Sequence, residues 1–66
     1  MFEVKKVSVW KEKVNGVWTW RGSYVIGNAM QTLTSEPFNV GGMDYTPAGL
    51  AVEAQAQMRC DALNNG

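Results

Sequence analysis

The side chains that could act as nucleophiles are serines and one cysteine, Cys60, and none has a partner base in the sequence. Nucleophilic catalysis needs an adjacent general base, most often histidine, and the chain contains no histidine. The six carboxylates are dispersed without a recurring spacing. Cys60 lies near the predicted C-terminus of a helix, where the dipole disfavours a thiolate. We therefore predict a protein that is not an enzyme and has no catalytic residue.

Metal and cofactor sites lack their usual residues. A tetrahedral zinc site is built from cysteine and histidine ligands, and this chain has one cysteine and no histidine. The paired glycines Gly41 and Gly42 lack the preceding strand, the following helix and the lysine of a phosphate-binding loop. We predict no metal site and no bound cofactor.

The chemistry that remains is recognition. Residues 9–24, VWKEKVNGVWTWRGSY, contain all three tryptophans and three of the six basic side chains. Tryptophan and arginine are enriched among the residues that dominate protein interfaces. We predict Trp10 and Arg21 as partner-binding residues on a sheet face, together with Met43 and Tyr45 on a loop.

A β-hairpin must position these residues, because Asn15-Gly16 is the strongest signal for a two-residue type I′ turn. The turn pairs Val14 with Val17, and the register then runs without interruption to Val7 with Tyr24, with Trp10 opposite Arg21. Alternation divides the side chains between two faces. The face predicted to form the core collects Val7, Val9, Trp18, Trp20, Tyr24 and Ile26, whereas Trp10 and Arg21 lie on the outer face.

The remaining sequence predicts one more strand and one helix. Alternation and threonines favour a third strand, and Pro37 limits its length because proline cannot donate to a ladder. The alanine-rich segment that begins with Pro47 is typical of a helix. We predict an α+β fold, a three-stranded antiparallel sheet with one C-terminal helix packed on one face (βββα), in a single domain over residues 1–66. The predicted strands are 2–14, 17–26 and 29–35, the loop is 36–45 and the helix is 47–63.

The predicted helix carries two apolar seams, and a small sheet can cover only one. We assign Leu50, Ala54 and Met58 to the core together with Leu33 from the third strand. The second seam then becomes a candidate interface with a partner or a second copy of the chain, and its residues are Val52, Ala56, Cys60 and Leu63. The alternative is that the second seam consists of scattered small residues on an ordinary surface.

The stretch GVWTWRGSYVIGNAMQTLTSEPF, followed by an alanine-rich helix, resembles the small bacterial YegP-like domain. The matching positions are Gly27-Asn28 and Ser35-Glu36-Pro37-Phe38. The resemblance implies a βββα unit and assigns no chemistry. In topology alone, the predicted order of elements is also similar to the arm-type DNA-binding domain of phage integrases.

Charge and composition bound the function. The chain is 45% apolar and 18% charged, which is a globular composition, and its formal net charge is zero. Residues 1–26 carry a net charge of +3 and residues 27–66 a net charge of −3. No uncharged apolar run approaches the roughly 18 residues of a membrane span, so we predict no membrane partner and a cytoplasmic location.

We predict a small protein-binding module that acts by occlusion, such as a phage or mobile-element accessory protein that inhibits a host protein. The alternative is a nucleic-acid-binding module that uses the outer sheet face, where Arg21 reaches a base edge and Trp10 stacks on an unpaired base. Zero net charge favours the first hypothesis, because most affinity for DNA comes from phosphate neutralisation.

Overall fold

The fold is an antiparallel sheet followed by one C-terminal helix, as the sequence predicts. The structure is a computed structural model, and it describes residues 1–40 and 45–66. The elements in chain order are β1 (Glu3–Val14), β2 (Val17–Gly27), β3 (Thr32–Thr34), β4 (Phe38–Asn39) and α1 (Tyr45–Asn65). The central strand is β2, which pairs with β1 on one side and with both β3 and β4 on the other.

The hairpin of β1 and β2 has the predicted turn and register. Asn15 and Gly16 have φ angles of 51° and 82°, the left-handed values that a type I′ turn requires. The pairs run from Val14 with Val17 to Val7 with Tyr24 as expected, and Trp10 lies opposite Arg21. An irregularity between Val4 and Lys6 then shifts the register by one residue. This bulge keeps Val4 on the same face as Val7, because Val4 pairs with Ile26.

The second edge of β2 is covered by two short strands rather than the single predicted strand 29–35. The side chain of Asn28 accepts hydrogen bonds from the backbone N–H groups of Met30 and Gln31, at 2.8 and 2.9 Å, and so extends the turn. Between β3 and β4, Ser35 makes two hydrogen bonds with Tyr24, each of 2.9 Å. The N–H of Ser35 donates to the carbonyl of Tyr24, and the Oγ of Ser35 accepts from the N–H of Tyr24. The chain returns to β2 after Pro37 as β4, inside the predicted loop 36–45.

The helix packs on the sheet through the seam that the sequence analysis assigned to a partner. Ala48, Val52, Ala56 and Cys60 are fully buried, whereas Leu50 and Met58 are 62% and 64% exposed. Ala54, the third residue predicted to line the core, is exposed as well. The predicted roles of the two seams are therefore reversed.

The physical reason for this reversal is the fit of the helix to a glycine on β2. A Cβ atom at Gly22 would overlap Cγ2 of Val52 and lie 3.2 Å from Cγ2 of Val40. Small residues at positions 48, 56 and 60 let the helix axis approach the sheet closely, with Val52 filling the space that Gly22 leaves. The larger side chains of Leu50 and Met58 face outward from this close contact.

Among the described residues, the core consists of two neighbouring clusters under the helix. The first contains Ile26, Ala56 and Cys60, with Phe2, Val4, Tyr24, Leu33 and Leu63 packed around them. The second contains Val40, Ala48 and Val52, with Val7, Val9, Trp20, Tyr24 and Phe38 packed around them. At the far end of the helix, the Asn64 side chain accepts from the N–H of Phe2 at 2.7 Å and donates to its carbonyl at 3.0 Å. Asn64 therefore fastens the end of α1 to the start of β1.

Candidate interaction surface on the hairpin end

The hairpin end, residues 11–20, begins at Trp20, where the helix-covered part of the sheet ends, and extends beyond it to the turn. Among the described residues, Val9 and Trp20 are the hairpin residues nearest the turn that pack against a core cluster. The molecule is 39 Å long and only 18 by 17 Å across, so the long hairpin sets its length. Past the helix, the ribbon exposes Trp18 on one face and Val17 on the other.

Trp18 is the most exposed aromatic side chain on this ribbon, and the prediction that it belongs to the core is wrong. It alternates onto the same face as Trp20, Gly22 and Tyr24, but it is 64% exposed. Trp20, two residues closer to the helix, packs partly buried against the second cluster. The period of the strand correctly predicted the face of Trp18, but the helix does not extend far enough to cover it.

Two lysines surround these tryptophans on the helix-side face. Lys13 pairs with Trp18 and Lys11 pairs with Trp20, and Nζ of Lys11 lies 5.6 Å from the centroid of the Trp20 ring. A cation at this distance from an indole is attracted to the ring face. Within residues 11–20 the acidic residue is Glu12, which alternates onto the opposite face. The helix-side face of the hairpin end is therefore aromatic and positively charged.

The predicted binding residues Trp10 and Arg21 do lie together on the outer face, but they bond to neighbouring side chains there. Oε1 of Glu12 accepts a hydrogen bond from the Trp10 indole at 3.0 Å and lies 2.8 Å from Nε of Arg21. This ion pair is not a hydrogen bond, because Arg21 Nε has no hydrogen-bond partner among the described residues. Arg21 Nη1 also donates to Oδ1 of Asn39 at 2.7 Å. The group therefore ties β1, β2 and β4 together across the outer face.

Asn39 is the member of this group that sequence reasoning missed. It lies opposite Arg21 because β4 pairs with β2 there. A strand of two residues that follows a proline leaves no periodic signal, so the sequence offered no means of placing Asn39 beside Arg21.

The other predicted binding residues lie on the helix and in the segment that precedes it. Met43 and the side chain of Tyr45 lie outside the described residues. Val52, Ala56 and Cys60 are fully buried against the sheet, and Leu63 packs against the first cluster. The prediction of a helix interface through these four residues is therefore wrong, since the sheet already occupies that seam.

Cys60 is a buried thiol on the core side of α1. Burial raises the pKa of Cys60, and the neighbouring carboxylate of Asp61 acts in the same direction. The thiol form is therefore favoured in the folded protein. Its reactivity is low because the thiolate is the reactive form of cysteine. Among the described residues, no three histidine, cysteine or acidic side chains lie close enough to hold a metal ion.

A cavity of about 450 Å³ lies between α1 and the edge formed by β3 and β4. Its floor is apolar and its rim is polar, with one acidic and one basic side chain, Glu36 and Arg59. The residues that line it are Tyr24, Ile26, Leu33, Thr34, Ser35, Glu36, Phe38, Gln55 and Arg59. Its size is within the range of small-molecule sites, but its rim is electrically balanced and selects no ligand class.

None of the helical structure in residues 1–40 and 45–66 is both long and apolar enough to cross a bilayer. Comparisons with protein-family models, with curated proteins and with solved structures returned no match for this chain. The resemblance to the YegP-like domain therefore stays a prediction.

Proposed function

We propose that this chain is a small, non-enzymatic protein-binding module whose contact surface is the hairpin end. The observation that carries the proposal is the exposure of Trp18, which is 64% exposed on a ribbon that the helix does not cover. An exposed tryptophan costs solvation free energy in the free protein, and its burial at an interface recovers that free energy. Tryptophan is also the residue type most enriched at interface hot spots.

The neighbouring surface supports protein binding. Val17 is 63% exposed beside the turn, so the two faces of the ribbon each present a large apolar side chain close to the tip. A projecting ribbon with apolar contacts fits a cleft on another protein and blocks it, which is the mechanism of occlusion. We propose that a phage or mobile element encodes this chain and that the chain inhibits a host protein in this way. The single cysteine, which is unpaired, is compatible with a reducing cytoplasm.

One observation favours nucleic-acid binding as the second candidate, at a different place from the predicted one. The outer-face residue Arg21 is only 22% exposed in its side chain and is engaged by Glu12 and Asn39. The helix-side face of the hairpin end instead combines Lys11 and Lys13 with an exposed indole. Cations beside an aromatic platform are the usual combination for single-stranded nucleic acid.

The test is capture of a partner by the immobilised protein from an extract of the cells in which the protein is made, compared with capture by Trp18→Ser. We expect a protein that wild type retains and Trp18→Ser loses. Met58→Ser is the matched control, because Met58 is equally exposed at 64% but lies on the outer face of the helix. Capture that survives Trp18→Ser and disappears with Met58→Ser would contradict the proposed surface.

Fluorescence titration with a thymidine octamer at low and physiological salt tests the second candidate, since phosphate-driven binding weakens steeply with salt.

A further inference from the structure

The outer edge of β1 offers unpaired backbone groups beside the two lysines. Among the described residues, β1 pairs only with β2. In a hairpin with a two-residue turn, Val14 and Val17 exchange both backbone hydrogen bonds, and such pairs then recur at every second residue. On β1 the N–H and C=O groups of Val9, Lys11 and Lys13 therefore point away from β2.

The other side of β2 agrees with this assignment. Residues opposite the outward-pointing positions of β1 must direct their own backbone groups away from β1. The Trp20 carbonyl accepts from the N–H of Val40 at 2.8 Å, and both backbone groups of Tyr24 bond Ser35. Trp20 pairs with Lys11 and Tyr24 pairs with Val7, so the alternation holds along the hairpin.

The bulge on the edge of β1 lies too far from the turn to protect the hairpin end, where only lysines guard the edge. Proteins commonly protect an edge strand with a bulge or with lysines. The bulge of β1 falls between Val4 and Lys6, and the pairing from Lys6 to Val14 is regular. Lys11 and Lys13 disfavour a second copy of the chain, since antiparallel pairing centred on Lys11 would place like charges directly opposite each other. The same two lysines attract a strand that carries carboxylates.

We propose that an extended acidic segment of the partner adds antiparallel to the edge of β1 across Val9, Lys11 and Lys13. This inference rests on the proposed protein-binding function and specifies the chemistry of the partner. The backbone groups of the three residues bond the added strand. Carboxylates at every second position lie on the helix-side face, where cross-strand neighbours are about 4.5–5.5 Å apart, and pair with Lys11 and Lys13. Trp18, on the next strand of the same face, reports the event by its fluorescence.

The test uses an acetylated and amidated peptide of four Glu-Thr repeats and measures amide hydrogen exchange of the protein by NMR. We expect the amides of Val9, Lys11 and Lys13 to exchange more slowly when the peptide is present. The amides of Trp10 and Glu12 should not change, because they already bond β2. This alternation is a signature that non-specific attraction to the lysines does not produce.

Two matched peptides test the hydrogen bonds directly. In the antiparallel pair, the glutamate opposite each lysine directs its own N–H to β1. A peptide methylated on the glutamate nitrogens should fail to bind, whereas a peptide methylated on the threonine nitrogens should bind within about threefold of the parent. Lys13→Glu should weaken binding about fivefold or more. Lys6→Glu, an equal charge change at a residue whose side chain alternates onto the other face, should have a smaller effect.

Unchanged exchange at Val9, Lys11 and Lys13 with millimolar peptide would overturn the inference. So would equal binding of the two methylated peptides, or protection of these amides by the thymidine octamer alone, which would assign the edge to nucleic acid. A failure of strand addition can be distinguished from a failure of the proposed protein-binding function. If Trp18-dependent capture of a protein persists while the peptide fails, the binding function stands and only strand addition is wrong.

Discussion

The reversed helix seams are tested most directly by one charge placed on either side of α1. Ala56 is fully buried in the first core cluster, whereas Ala54, two residues earlier on the same helix, is exposed. An aspartate at position 56 would bring an unpaired carboxylate under the helix, at a cost of several kcal/mol. The whole domain is stabilised by roughly 3–10 kcal/mol, taking about 0.05–0.15 kcal/mol per residue. We therefore expect Ala56→Asp to unfold the protein.

Ala54→Asp is the matched control, because it makes the same chemical change on the same helix. It should cost only the difference in helix propensity, less than about 0.7 kcal/mol. Far-ultraviolet circular dichroism and a urea titration measure both variants. Equal loss of structure in the two variants, or a greater loss in Ala54→Asp, would refute the assignment of the buried face.

A milder pair keeps the comparison quantitative when Ala56→Asp is unfolded outright. Ala56→Leu forces extra volume into a packed core and should cost about 1–3 kcal/mol. In a domain of this size each kcal/mol lowers the melting temperature by about 4–8 °C. Ala54→Leu should leave the melting temperature within a few degrees of the wild-type value, since surface substitutions usually change stability by about 0.5 kcal/mol or less.

Three further predictions concern the sheet and the buried thiol. Gly22→Ala should lower the free energy of unfolding by about 1–3 kcal/mol in a urea titration, because the new methyl group overlaps Val52; wild-type stability would contradict the close approach of the helix. Trp20→Ala should lower the free energy of unfolding by about 2 kcal/mol or more, and Trp18→Ala by less than about 1 kcal/mol. The reverse order in thermal melts would contradict the position at which the helix stops covering the hairpin. Iodoacetamide should alkylate Cys60 only as fast as the protein opens. The free energy of unfolding should fall as the pH rises above the ordinary thiol pKa of about 8.5, because the thiol ionises in the unfolded chain while burial keeps its pKa raised in the folded protein. Cys60→Ala should remove that decline with pH.

The hairpin register from Val14 to Val7 and the order of a sheet followed by one C-terminal helix were determined by the sequence alone. The Asn15-Gly16 turn fixes the register by local geometry, and the period of two residues then divides the side chains between faces without reference to the rest of the molecule. The bulge near Lys5 and the two-residue strand β4 were not predictable, because neither leaves a periodic pattern. The group that joins Trp10, Arg21 and Asn39 was for that reason only half foreseen.

Only the tertiary structure decided which side of the helix is buried and where the helix stops covering the sheet. Both seams of α1 are apolar, so the helical period cannot choose between them. The choice depends on Gly22, which is distant in sequence and admits Val52 at close range. The reach of the helix along the hairpin leaves Trp18 exposed, although its alternation is that of a core residue. Local conformation follows from neighbouring residues, whereas burial depends on which surfaces meet, and that fit between distant segments is absent from any single stretch of sequence.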